Sequence, residues 1–146
     1  IGYFGEYIIF LITCALIFNQ RLFFVFYLLF FTLNRIINQY LKKIFKGSRP
    51  FHPKKYLESD KFTKKASGMP SGHAQISFFS IVYGYLVNRQ FIPWSLLSLL
   101  IGFILIYERY VFRNHTVKQL VYGLLIGSIL GYISYYIVKL IEKEKM

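Results

Sequence analysis

Three short stretches of this chain hold the side chains that could do chemistry. "KKIFKGSRP" (residues 42–50) places Lys42 and Arg49 around the exit of an apolar segment. "MPSGH" (residues 69–73) turns through Pro70, Ser71 and Gly72 onto His73, where another apolar run begins. "ERYVFRNHTVKQ" (residues 108–119) contains Arg109, His115 and Gln119. Each has a plain reading by itself: cations snorkelling at a helix end, a capped helix, an interfacial histidine. As a set they describe something else. Three cations, a helix start with free N–H groups and two imidazoles make a phosphate pocket with acid and nucleophile candidates. Ser71 suits an N-cap, and Gly72 permits close approach of a phosphate to the backbone. His115 and Gln119 are four positions apart, the spacing of neighbours on one helix face.

Whether these stretches meet depends on the segments between them. The chain has 146 residues, 55% hydrophobic and 21% aromatic, with a mean hydropathy of +0.45. That is more apolar than a soluble domain of this size can be and stay dispersed. Apolar runs occupy about 3–18, 22–33 (extendable to 41), 74–87, 91–107 and 117–141, with Asn34, Arg35 and Asn38 interrupting the second. Backbone polar groups in hydrocarbon must pair internally, and the runs lack the alternation of a membrane barrel. The expected fold is all-α: a polytopic bundle of about five transmembrane helices, residues 1–146 forming a single integral-membrane domain. Polar breaks then alternate between two faces. Residues 19–21, 88–90 and the tail after Lys139 share one face; the loop 42–70 and the connection 108–114 share the other. Topology alone therefore brings the three stretches to one membrane face.

The formal charge is +12, which on a soluble protein would point to nucleic acid. Here it lies on short loops between spans, so membrane lipids and an anionic lipid phosphate are the expected partners, and nucleic acid is not. Nine lysines and arginines fall between 42 and 65, against Glu58 and Asp60. Those two acids are too isolated to hold a metal, and neither metal nor cofactor is expected. His52 reads as a loop residue. Cys14 is the single cysteine, so no internal disulfide can form. The chain opens at Ile1 without a methionine or basic leader, which reads as a truncated N-terminus before a first span. Gly123, Gly127 and Gly131 form a ladder that admits another helix closely, within the bundle first and across a homodimer as the alternative.

The patterns K-x6-R-P at 42–50, P-S-G-H at 70–73 and R-x5-H at 109–115 resemble, in order and in the helices between them, the three signatures of the type-2 phosphatidic acid phosphatase superfamily. The resemblance covers the chain from about residue 22. "GMPSGHAQ" and "HTVKQLVYG" look most like the dolichyl-diphosphatase branch. It implies a metal-independent lipid phosphatase in which His115 attacks the terminal phosphorus to form a phosphohistidine and His73 protonates the departing oxygen. Lys42, Arg49, Ser71, Gly72 and Arg109 would hold the phosphoryl oxygens. Gln119, where most relatives carry Asp, would accept the His115 ring N–H and fix its tautomer. Glu108 stands where the third signature usually has Ser, beside a phosphate-binding cation. The implied reaction takes a polyisoprenyl (dolichyl) diphosphate to the monophosphate at the lumenal face of the endoplasmic reticulum membrane. Phosphatidate, lysophosphatidate and sphingoid phosphates are alternative substrates, and a homologue that only binds anionic headgroups is the non-enzymatic alternative. Charge counting alone would put the active face in the cytosol.

Overall fold

The computed structural model describes residues 4–48 and 68–146. Five helices follow one another: α1 (Gly5–Ile17), α2 (Arg21–Phe45), α3 (Gly72–Val87), α4 (Ile92–Val111) and α5 (Val117–Lys145). The described residues contain no strand. Each expected helix forms, with ends set by ordinary signals. α2 closes where Lys46 adopts a left-handed conformation and returns its N–H to the Lys42 carbonyl. α3 starts after an extended Ser71, and α5 after Thr116 with a full capping box.

Length separates the helices. α2, α4 and α5 are long and apolar enough to cross a bilayer. α1 has 13 residues and α3 has 16, about 20 and 24 Å of helix against a hydrocarbon core of about 30 Å. α3 is the hub of the bundle. It packs against all four other helices, most extensively against α5, and most of its residues are buried. The glycine ladder explains that contact. A Cβ on Gly123 would stand 2.6 Å from the Ser71 carbonyl oxygen, and one on Gly131 would stand 2.7 Å from that of Phe79, with Gly127 pressed against Gln75 between them. These glycines are filled by α3 of the same chain. The ladder thus serves packing within the bundle, the first of the two roles expected for Gly123, Gly127 and Gly131.

The aromatic residues do ordinary work. Tyr27, Phe79 and Tyr83 stack between α2 and α3, and each buried phenol is satisfied: Tyr27 donates to Ser80 Oγ at 2.8 Å and Tyr83 to the Phe23 carbonyl at 2.8 Å. Outward, the helices present bare Leu, Ile, Val and Phe side chains such as Val25, Leu100, Phe103 and Ile129, a surface suited to lipid. At one end of the bundle Gln20 and Asn88 tie the α1–α2 and α3–α4 turns together through the Val87 and Leu16 carbonyls. The other end carries the site.

Candidate active site

The start of α3 is held in place from α2. Asn38 donates to Gln75 Oε1 at 2.8 Å and to the Pro70 carbonyl at 3.4 Å, while Gln75 donates to Asn34 Oδ1 at 2.7 Å. All three amides are buried. Asn34 and Asn38, two of the residues that interrupt the second apolar run, thus form a polar seam facing α3, where each gains a partner it would lack in lipid. Ser71 caps α3, its Oγ accepting from the Ala74 N–H at 3.4 Å. A Cβ on Gly72 would lie 3.1 Å from Asn38 Oδ1 and 3.8 Å from Lys42 Nζ. The Lys42 ammonium therefore lies beside the first turn of α3, where its charge adds to the positive end of the helix.

The starts of α3 and α5 are joined directly, the Ser71 N–H donating to the Gln119 carbonyl at 3.1 Å. His115 is 2% exposed, and its Nδ1 lies 2.9 Å from the Gly68 carbonyl oxygen. A carbonyl can only accept, so Nδ1 carries the hydrogen and Nε2 keeps its lone pair. The orienting group is thus a backbone carbonyl of the loop, and the expected role of Gln119 is corrected. Gln119 Oε1 accepts from the Thr116 N–H at 3.1 Å, and Gln119 Nε2 donates to the Ser48 carbonyl at 2.6 Å. The physical reason is the helix boundary. His115 precedes the N-cap Thr116 and is not on the helix, so its four-residue spacing from Gln119 does not make the two neighbours.

Gln119 instead fastens the far end of α2 to the start of α5. Nearby, the Gly68 N–H donates to the Gly47 carbonyl at 2.7 Å, closing the ends of the basic loop on each other. Gln119→Ala should therefore act mainly on stability, lowering it by about 0.5–1.5 kcal/mol for each side-chain hydrogen bond lost. Thermal unfolding in detergent checks this. A collapse in turnover with unchanged melting temperature would restore the tautomer role.

Arg109, in the last turn of α4, is 4% exposed. His73 lies in the electrostatic field of Arg109, His115, Lys42 and Arg35. Five of the expected site residues (Lys42, Gly72, His73, Arg109 and His115) thus gather where α2, α3, α4 and α5 meet, with Ser71 capping α3 beneath them. Arg49 falls outside the described residues. Glu108 makes no ion pair with Arg109, as adjacent positions on a helix do not face each other. Glu6 of α1 is within electrostatic reach of Arg109. Glu6 is 5% exposed, 3.3 Å from Arg35 Nη2 and 3.9 Å from His73 Nε2. Sequence reasoning passed over Glu6 and Arg35. The usable signal was an unpaired acid at the head of one apolar run and a cation inside the next, since ionisable residues in spans tend to pair inward.

The arrangement brings cations, the helix N–H groups of α3 and two imidazoles together, groups suited to hold a tetrahedral anion. The PAP2 superfamily model matches residues 8–143. Dolichyldiphosphatase of Saccharomyces cerevisiae is 27% identical over 76% of this chain and 50% of its own length, so the chain spans half of that relative. The first transmembrane PAP2 type phosphatidylglycerolphosphate phosphatase from Bacillus subtilis superposes with a TM-score of 0.69 over 98% of this chain and 73% of that one. At 17% identity this is a likeness of fold. With a family match over nearly all its length and three helices able to cross a bilayer, this chain is an integral membrane protein and belongs to the PAP2 superfamily.

Proposed function

We propose that this protein hydrolyses a lipid diphosphate, a polyisoprenyl diphosphate of the dolichyl type, to the monophosphate through a phosphohistidine on His115, in the endoplasmic reticulum membrane with its pocket on the lumenal side. The observation that carries the reading is the His115 ring, held at Nδ1 by the Gly68 carbonyl so that Nε2 is the nucleophilic atom, in the same charged cluster as His73, Lys42 and Arg109. Phosphoryl transfer needs little covalent help from the protein. It needs positioning and cations around the equatorial oxygens, which Lys42, Arg109 and the α3 N–H groups supply. His73 gives the departing oxygen its proton, and water then opens the phosphohistidine. The likeness to the yeast dolichyldiphosphatase supports the choice of substrate.

In this reading lysine and arginine take the place that Mg²⁺ holds in many phosphoryl-transfer enzymes. Purified protein should release phosphate from a long-chain polyisoprenyl diphosphate in excess EDTA, and faster than from phosphatidate at equal surface density. Vanadate should inhibit. Loss of activity in EDTA with recovery in Mg²⁺ would overturn the mechanism. Equal or reversed substrate rates would discard the diphosphate.

A further inference from the structure

Glu6 is a buried carboxylate that the mechanism above does not use. It reaches the site because α1 meets α4 closely: a Cβ on Gly5 would stand 2.9 Å from Leu105 Cδ1, one turn before Arg109. Around it stand Arg35 from α2, His73 from α3 and Arg109 from α4, with Tyr7 beside it on α1. A plain role is available, since a buried acid paired with Arg35 would join α1 to α2. The Tyr7 side chain adds a hydrogen bond to the same carboxylate. Oε1 takes Arg35, whereas Oε2 is the atom turned to His73 Nε2 at 3.9 Å. The carboxylate thus spans the cation and the imidazole, and the imidazole is the one assigned to the leaving group.

We propose that Glu6 is a positioning residue for the leaving-group proton, holding the His73 ring by Nε2 so that Nδ1 delivers the proton to the departing oxygen. The inference rests on the acid role given to His73 above. In the protonated ring both nitrogens carry hydrogen. As the P–O bond breaks, its electron pair leaves on oxygen, the Nδ1 proton moves to that oxygen, and the neutral ring keeps Nε2–H toward Glu6. A carboxylate in this position fixes the ring's orientation and balances its charge before transfer, as an acid behind a catalytic imidazole does elsewhere. Lys42, Arg35, Arg109 and His115 all oppose a positive His73, and Glu6 is a carboxylate that faces its ring.

Leaving groups separate this role from a structural one. Decyl phosphate expels an alkoxide that must be protonated, whereas p-nitrophenyl phosphate expels a stable phenolate. Glu6→Gln, nearly isosteric, should lower kcat on decyl phosphate about ten-fold or more and on p-nitrophenyl phosphate less than about two-fold. In a His73→Ala background, adding Glu6→Gln should cost nothing further on decyl phosphate. Equal losses on both substrates, no loss on either, or a full additional loss in the double variant would overturn the proposal. If His73→Ala itself lowers both substrates equally, the acid assignment fails and Glu6 falls with it. If His73→Ala is selective and Glu6→Gln is not, only the Glu6 proposal fails.

Discussion

His115→Asn should leave a folded, phosphate-binding protein with turnover reduced by about 10⁴-fold or more. The variant is chosen from the geometry. An asparagine amide can still donate to the Gly68 carbonyl, replacing the contact made by Nδ1, but it has no atom in the place of Nε2. His115→Ala would remove both, adding about 1 kcal/mol of lost hydrogen bonding to the loss of the nucleophile. Inactivity shared by the two variants, with the asparagine form melting closer to wild type, assigns the defect to chemistry. Near-normal turnover in His115→Asn would mean another group attacks phosphorus, and the protein would be better read as a binder of lipid headgroups.

His73→Ala should show the next largest effect, and its size should depend on the substrate. General acids contribute typically about 10²–10⁴-fold, and that range applies where the leaving group most needs a proton. An alkyl phosphate should therefore suffer most. A lipid diphosphate, which expels a phosphate monoester, should suffer less. The assay is a series of turnover rates plotted against leaving-group pKa, in which wild type gives a shallow slope and His73→Ala a steep one. Parallel lines would remove His73 from proton transfer and leave it as one more member of the phosphate cradle.

Much of this is legible in the sequence because the main constraints are local. Five apolar runs between polar breaks become five helices, since a chain in hydrocarbon has few other ways to pair its backbone. The gathering of Lys42, His73, Arg109 and His115 follows from the alternation of breaks between two faces. Ser71 at the head of an apolar run predicted its own cap. The role of Gln119 turns on one helical boundary, the start of α5 at Thr116. The T-x-x-Q at 116–119 is a capping box, and recognising it would have placed His115 outside the helix and occupied the Gln119 amide. The Gly68 carbonyl had no signal to find, because a backbone oxygen looks the same at every position. Glu6 was hidden differently: its partners lie on α2, α3 and α4, and the packing of α1 against those helices brings it among them. The 13- and 16-residue lengths of α1 and α3 also depended on tertiary structure, where α3 is enclosed by its neighbours and need not face lipid along its length.

The central claim is a phosphoryl group carried on His115. Purified wild-type protein mixed briefly with a polyisoprenyl diphosphate labelled in its terminal phosphate, quenched in alkali to preserve phosphohistidine and digested, should yield label on the peptide containing His115. His115→Asn should yield none. His73→Ala, with a weakened acid step, should accumulate the label more slowly. Label on another residue, or phosphate release with no labelled enzyme at any mixing time, would contradict the account.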